Sequence, residues 1–560
     1  MIQLGISAFY HDAAACLIKD GVVLGAVEEE RFTGIKHDLS FPINSIDWLL
    51  SEFGYKSVDI DEVCWYEMPD LKKERVLSIF NKHPFKNLWN KIKFKRRHKH
   101  EGDIPKILMK YLGYDGKITY VPHHLSHAAF SYFTSPFKTG RTIIVTLDGV
   151  GEWDTSAIYL AEDGKILKKV SESEFPNSLG MLYSTFTAFL GFQPNEGEYK
   201  VMGLAAYGKD MPLSEIYYNK IIKLIQLNQN GSFEIDQRYF TWEYSDKIMF
   251  NDALCEYLNL SPRLKGDDLT IEHKCLANAI QRVYERVFMH IISTAWYGTY
   301  GVKQLCLSGG CAYNGVANTT AYEYFENVWI PFSPSDSGSA IGACLAVNEK
   351  MVEVSPYLGP NYEGVDIYSD LIQFFDRISW NHFQEEEIID MAAEAIHGGA
   401  VIGWFQGAME FGARALGNRS ILASPLGKET KDRLNRVIKK REGFRPFAPS
   451  CVADEANQFF NLKEAVPYMN QITTVKNDSM PAITHIDGTA RVQTVTQSQN
   501  DKYYKLLKKL GELSGYPICL NTSFNFKDQT ITMTPFQAIE RFLDCDMDAL
   551  VINNTYITKK

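Results

Sequence analysis

The chain has no Cys-x-x-Cys pair, and its ten cysteines are scattered along 560 residues. That spacing excludes a zinc ribbon or a disulfide scaffold and points to reduced, mostly buried thiols. No run of eighteen apolar residues occurs, so a spanning helix is not expected. A charged-then-apolar leader is missing too, which makes a cytoplasmic location the default, with no membrane partner. Positive charge is in short supply: 58 Lys and Arg against 68 Asp and Glu leave a net charge of −10. General nucleic-acid affinity is therefore not expected. Neither low-complexity segments nor coiled-coil heptads appear.

What is present suits a multidomain enzyme. The length allows about two to four domains, and 45% hydrophobic residues are ample for large cores. The most informative stretch is Pro122-His123-His124-Leu125-Ser126-His127. On a helix, His123 and His127 project from one face a turn apart, where one metal ion can take both imidazoles. A strand-like run from Thr142 to Leu147 follows and ends in Asp148-Gly149-Val150-Gly151-Glu152. Asp336, in Pro334-Ser335-Asp336-Ser337-Gly338, completes a His/His/Asp/Asp set of candidate metal ligands. Such ligands favour iron(II), with zinc or manganese as alternatives.

The turns around these residues recur. Strands over Gln3–Ser7, Ala13–Ile18 and Val22–Val27 are joined by a small-residue turn and by the Asp20-Gly21 hairpin. Strands over Thr142–Leu147, Ser156–Leu160 and Lys165–Val170 repeat the pattern, with Asp163-Gly164 as the hairpin. Two such copies are what a duplicated nucleotide-binding domain requires, and each first turn offers backbone N–H groups to phosphate. Gln304–Leu307 is a third short strand. It runs into Ser308-Gly309-Gly310, where glycines allow close approach of a nucleotide, with Asn314 nearby. A helix from Ile271 to Trp296 turns Ala277, Ile280, Val283, Val287 and Ile291 to one apolar face.

These residues carry a resemblance. Ala26-Val-Glu-Glu-Glu-Arg31-Phe32-Thr33 with Lys36-His37, the His123/His127 pair, Asp148-Gly-Val-Gly-Glu152 and Glu198-Tyr-Lys200-Val-Met-Gly203 resemble the NodU/CmcH-type O-carbamoyltransferases, as do Ser308-Gly309-Gly310 and Ser335-Asp336. The C-terminal third extends it with Phe411-Gly-Ala-Arg414-Ala-Leu-Gly417-Asn418-Arg419, Lys439 to Arg445, Arg491 and Asn521-Thr522-Ser523-Phe524-Asn525. The chain departs from the family pattern after Asn525, where Asp528-Gln529-Thr530-Ile531 replaces a Gly-Glu-Pro-Ile stretch.

The resemblance implies an α/β protein: a duplicated actin-like ATPase domain over 1–358, followed by a YrdC-like domain over 359–560. The border falls in the Pro/Gly-rich stretch Val354 to Asn361, which interrupts a helix starting near Ala340. A helix over Glu385–His397 opens the second domain. The implied activity is ATP-dependent O-carbamoyl transfer from carbamoyl phosphate, through a carbamoyl adenylate, to the hydroxyl of a sugar or natural-product acceptor. ATP with Mg2+ and one divalent metal are the implied cofactors, and a homodimer is a candidate assembly.

Arg414, Lys439, Arg445, Arg491, Asn521 and Ser523 are the residues implied for nucleotide and carbamoyl phosphate, because cationic forks match phosphate oxygens. Gly309, Gly310 and Asn314 join them from the first domain, and Lys439 and Arg445 are also read as catalytic. The competing reading of the basic residues is a solvated helix from Lys428 to Arg445. His11, in the first phosphate-type turn, is the candidate general base for the acceptor hydroxyl, or else only holds its turn with Asp12.

Two other functions stay open: a sugar kinase on the actin-like fold, and a tRNA-modification or maturation protein. The run Lys91 to His100 is strongly basic. It reads as a solvated insertion or as a patch for an anionic acceptor. Acceptor identity is expected to lie in the insertions 70–110 and 209–268.

Overall fold

The computed structural model describes residues 1–82, 102–245 and 248–560. The basic run 91–100 lies outside the described residues. The chain divides into two compact units, Met1–Leu24 with Leu39–Val354, and Gly25–Asp38 with Ser355–Lys560. The short insertion of 25–38 into the second unit is not signalled by any composition shift.

The first unit is built on two five-stranded sheets. One holds β1 (Ile2–Ser7), β2 (Ala14–Lys19), β3 (Val22–Glu28), β4 (Glu62–Trp65) and β5 (Lys117–Tyr120), in the order β3-β2-β1-β4-β5. The other holds β6 (Arg141–Leu147), β7 (Asp154–Glu162), β8 (Lys165–Glu174), β9 (Gln304–Ser308) and β10 (Asn327–Trp329), in the order β10-β9-β6-β7-β8. In each sheet the first strand pairs antiparallel with the second and parallel with the fourth, and the fourth pairs parallel with the fifth. The same order and the same directions in both sheets are the duplication that the paired hairpins predict. Asp20, at φ 51°, and Asp163, at φ 49°, make the matching hairpin turns with the glycine that follows each.

Four helices of this unit bear on its candidate ligands: α1 (Pro69–Lys82), α2 (His123–Phe133), α3 (Ile271–Gly298) and α4 (Asp336–Asn348). The apolar face of α3 is buried as its periodicity predicts, with Ala277, Ile280, Val283, Val287 and Ile291 all at most 1% exposed. Helix α4 starts at Asp336, four residues earlier than expected. Ser335 is the extended residue before it, and the run of small residues continues the helix from there. Those small residues let α4 lie against α2: a Cβ on Gly342 would sit 1.9 Å from the Ser126 carbonyl oxygen. The first turn of α4 is thereby brought against the histidine face of α2.

The second unit is built on an eight-stranded mixed sheet: β11 (Ile378–His382), β12 (Ile402–Phe405), β13 (Arg419–Ala423), β14 (Ala448–Val452), β15 (Gln493–Val495), β16 (Ile518–Ser523), β17 (Ala549–Ile552) and β18 (Thr555–Lys559). Its order is β11-β18-β17-β12-β13-β16-β14-β15. Both faces are covered, so residues alternate between two cores. Ile402, Trp404, Leu422, Cys519 and Val551 pack with the helices Glu385–His397 and Asp501–Ser514. Phe405, Ile421, Leu520 and Leu550 face the opposite core. All ten cysteines are free, seven of them buried. Among the described residues no helix is long and apolar enough to cross a membrane.

Candidate metal centre and cationic cluster

Helix α2 is buried along almost its whole length. Its N-terminus is held by Glu152, whose carboxylate accepts from the backbone N–H of His123 at 2.9 Å and of Met68 at 2.7 Å. A carboxylate there also complements the helix dipole. The Nε2 atoms of His123 and His127 lie 3.2 Å apart. Asp148 Oδ2, at the end of β6, is 3.0 Å from His123 Nε2 and 3.2 Å from His127 Nε2. Asp336 Oδ1, at the start of α4, lies 3.6 and 3.3 Å from the same two nitrogens.

Four ligand atoms of buried residues thus converge within 4.8 Å of one another. Ligands each about 2.0–2.2 Å from one metal must be spaced by about 3.0–3.6 Å, and the five separations above fall in that range. Asp336 is fully buried, yet neither of its carboxylate oxygens accepts a hydrogen bond. An uncompensated buried carboxylate is costly, and a cation among these four groups removes the cost. The donor set fits a divalent first-row metal.

The surroundings are built to hold these ligands. Ser339, one turn along α4 from Asp336, lies 3.1 Å from His127 Nδ1 and so fixes the ring with Nε2 facing the cluster. Asp148 Oδ1 accepts from Gly149 N at 2.7 Å, leaving Oδ2 for the imidazoles. A Cβ on Gly309 would lie 2.1 Å from the Leu147 carbonyl oxygen, so only glycine lets the two turns meet. His124 takes no part: its Nδ1 is 2.7 Å from Thr146 Oγ1 and its Nε2 is 2.9 Å from the Asp154 carbonyl.

His11 sits beside the cluster, with Nε2 4.0 Å from Asp336 Oδ2 and Nδ1 3.1 Å from Asp12 Oδ2. Phe9 and Asp12 on either side adopt positive φ, 70° and 53°, so the loop bends sharply to bring His11 inward. Burial alone would pull an imidazole down. Asp336 and Asp12 outweigh it at His11 and push it up to about 10, and Asp336 with Asp148 push His123 up to about 9. Asp148 goes the other way: its hydrogen bonds to His123 and His127 overcome burial and hold it well below the carboxylate range. The site is a negative cage that recruits protons when nothing stronger is offered. Asn314 has a place in the fold as well. It caps the short helix Gly315–Thr320 by accepting from Ala317 N at 3.2 Å, and its amide nitrogen donates to Gln281 at 3.1 Å.

The second unit presents the opposite charge. The basic segment is helical only from Thr430 to Ile438, and its last five residues form a π turn. It is not a solvated helix to Arg445. Lys439 follows the π turn and is 3% exposed. Its ammonium donates to Ser523 O at 2.7 Å, Asn525 O at 2.6 Å and Asn525 Oδ1 at 2.7 Å, and Ser523 Oγ is 3.4 Å away. Burial, then Arg441, Arg445, Lys36 and Arg541, pull the Lys439 ammonium well below the usual lysine range. Arg541, which no motif singles out, donates to Thr530 O at 2.9 Å and to Thr532 Oγ1 at 2.7 Å.

Arg414 and Arg491 are half-buried on neighbouring segments of this unit. Asn521 is buried, its amide nitrogen spent on Ala415 O, Ser450 Oγ and Gln493 Oε1. In the loop that departs from the family pattern, Gln529 closes the turn: its carbonyl accepts from Asn525 Nδ2 at 2.7 Å and its side chain from Phe526 N at 3.3 Å.

The 25–38 segment acquires a role here. Glu28 Oε1 accepts from Gly412 N at 2.6 Å, and Arg31 Nη2 donates to Gly412 O at 2.9 Å. The loop that carries Arg414 is thereby gripped from both sides. Glu410 fixes its far end, one carboxylate oxygen accepting from the N–H groups of Leu416, Asn418 and Arg419.

Two family models match the chain: carbamoyltransferase N-terminus over residues 2–345 and carbamoyltransferase C-terminus over residues 393–559. The nodulation protein NolNO of Sinorhizobium fredii is 35% identical, over 99% of this chain and 80% of its own length. A 3'-hydroxymethylcephem-O-carbamoyltransferase of Amycolatopsis lactamdurans is 29% identical, over 75% of this chain and 76% of its own. Among solved structures, the activator of the 2-hydroxyisocaproyl-CoA dehydratase from Clostridium difficile covers 62% of this chain and 96% of itself. Its TM-score is 0.31 and its identity 12%.

Proposed function

The chain belongs to the carbamoyltransferase family, and from that premise we propose that it is an ATP-dependent O-carbamoyltransferase whose two units run separate half-reactions. The observation that carries this reading is the pairing of a four-ligand anionic cage in one unit with a cationic cluster in the other.

In the second unit, carbamoyl phosphate and ATP give carbamoyl adenylate. Atom balance requires one water to enter and both phosphate and pyrophosphate to leave. Lys439, Arg445, Arg414 and Arg491 neutralise the phosphates, with Mg2+ on the triphosphate and Ser523 beside Lys439. The loop holding Arg414 is fixed in advance by Glu28, Arg31 and Glu410, which lowers the ordering cost of binding.

In the first unit, His123, His127, Asp148 and Asp336 hold a divalent metal, iron(II) by preference. Such an ion supplies Lewis acidity toward the carbamoyl carbonyl. With a cation held at Asp336, that carboxylate no longer raises His11, and the neutral imidazole accepts the acceptor's hydroxyl proton as the oxygen bonds to the carbamoyl carbon. The carbon–oxygen bond to the adenylate phosphate breaks, and AMP leaves. Asp12 holds His11 through Nδ1, so that Nε2 is the atom that takes the proton. The acceptor is a hydroxyl on a sugar or similar polar small molecule.

The test is product analysis with labelled carbamoyl phosphate, ATP and a panel of sugars, glycolipid precursors, amines and tRNA. The expected products are AMP, pyrophosphate and an O-carbamoylated sugar or related alcohol. A phosphorylated sugar with ADP, or label on tRNA, contradicts the proposal.

A further inference from the structure

Helix α1 carries a buried charged residue that is not among the metal ligands. Arg75 is 7% exposed, its guanidinium lies over the Phe175 ring at 5.1 Å, and its Nε makes no hydrogen bond. Two carboxylates lie in its neighbourhood, and both are engaged elsewhere. Glu67 receives the Lys72 ammonium at 2.8 and 2.9 Å, while Glu152 receives the backbone N–H groups of His123 and Met68. Among the described residues Arg75 forms no ion pair. A buried guanidinium without an anion is costly to maintain for stability alone, since an apolar side chain of similar size would pack on Phe175 without that cost.

The surroundings of Arg75 lead to the metal ligands. Phe175 comes three residues before Ser178, whose hydroxyl donates to the Gly149 carbonyl at 2.6 Å and so braces the turn after Asp148. Tyr10, close enough to Arg75 for each to influence the other's ionisation, stacks on His11 with ring centroids 4.6 Å apart. A Cβ on Gly149 would lie 3.5 Å from the Tyr10 hydroxyl. Tyr10 is thus near both Arg75 and the turn after Asp148, and Glu152, which caps the helix of His123 and His127, is the other neighbour the two sites share.

We propose that Arg75 is an oxyanion-recognition residue of the transfer site, placed to receive a phosphate or carboxylate group of a molecule bound beside the metal ligands. A guanidinium fork suits either group, and cation–π packing on Phe175 holds its plane. Two molecules in the reaction can bring that group: an acidic acceptor, such as a sugar phosphate or uronic acid, or the adenylate, whose phosphate departs as AMP. The inference rests on the proposed transfer reaction.

The experiment compares the intact protein with Arg75→Gln and Arg75→Lys, using matched acceptors in which a neutral sugar is paired with its phosphate or uronate. If the anion belongs to the acceptor, the unaltered protein prefers the acidic member. Arg75→Gln then erases that preference by about ten- to hundred-fold in kcat/KM while sparing the neutral member, and Arg75→Lys keeps part of it. If the anion is the departing phosphate, Arg75→Gln lowers kcat for both members alike, acceptor KM holds, and metal content is unchanged.

The proposal is overturned if Arg75→Gln matches the unaltered protein on both members. It is equally overturned if both variants lose activity only in proportion to lost folded protein, while the unaltered protein shows no acid preference. Failure of the parent reading looks different, because the unaltered protein would then carbamoylate no acceptor at all.

Discussion

The two candidate sites are mirror images in charge. In the first unit, Asp148 and Asp336 face two imidazoles and drive the protonation of His123 upward. In the second, Lys439 stands among Arg441, Arg445, Lys36 and Arg541, and its own protonation is driven downward. Each gathers charge around a buried group, Asp336 in one and Lys439 in the other, a costly arrangement for a fold to keep without a ligand of opposite sign. The anionic cage calls for a compact cation, and four ligand atoms within 4.8 Å leave room for little else. The cationic cluster is spread over separate segments of its unit, as a polyanion such as a triphosphate requires. Opposite charge in separate units fits the proposed division of activation from transfer, since the two proposed steps need different ligands.

The sharpest way to break this comparison is to remove one member from each side. His127→Ala is expected to lose nearly all bound metal and all acceptor carbamoylation while retaining ATP–pyrophosphate exchange. Lys439→Ala, or Arg445→Ala, is expected to keep its metal and lose exchange by about 100- to 1,000-fold. Metal analysis and exchange assays on the folded variants read both outcomes, and equal loss of exchange in His127→Ala and Lys439→Ala would erase the contrast.

The next effect concerns the base. His11→Asn should slow transfer by about 100- to 10,000-fold, with metal content and exchange unchanged. If metal is lost as well, His11 supports the cage instead of acting on the acceptor.

A third prediction comes from the sign of the charge imbalance. In the metal-free protein His123 is raised from its ordinary 6.5 to about 9. Its contribution to stability is therefore full below about 6.5 and is lost as the pH rises through about 9, where Asp148 and Asp336 are left facing a neutral His123. Bound metal replaces the proton. Chelation should then lower Tm more at pH 9.5 than at pH 6.5, a difference readable by calorimetry on loaded and stripped protein.

The smallest effect expected is for Ser339→Ala. Freeing the His127 ring should weaken metal affinity by about 10- to 100-fold without abolishing it. Titration with the metal against a competing chelator measures it.

Much of the cage is legible in the sequence alone, because its signals are local. His123 and His127 are one helical turn apart, and Asp148 and Asp336 each sit where an apolar run meets a small-residue turn. The duplicated hairpins are legible for the same reason. What the sequence hides depends on distant partners. Ser339 meets His127 across 212 residues, and Arg31 grips Gly412 across 381. Helix α4 reaches back to Asp336 because packing against α2 rewards its small residues, a tertiary effect that no periodicity shows. Lys439 is engaged by Ser523 and Asn525, 84 and 86 residues further along the chain, which no local pattern shows. Asn314 and Asn521 carry suggestive motif positions but are taken up in capping and in the sheet network, and sequence alone does not separate those roles.

The most direct test of separate half-reactions is carbamoyl-phosphate-dependent ATP–pyrophosphate exchange in protein stripped of its metal and then supplied with Mg2+. Exchange close to that of the metal-loaded protein, with no carbamoylated acceptor formed, is the predicted result. Loss of exchange on stripping, restored only when the metal bound by His123, His127, Asp148 and Asp336 is returned, would contradict it.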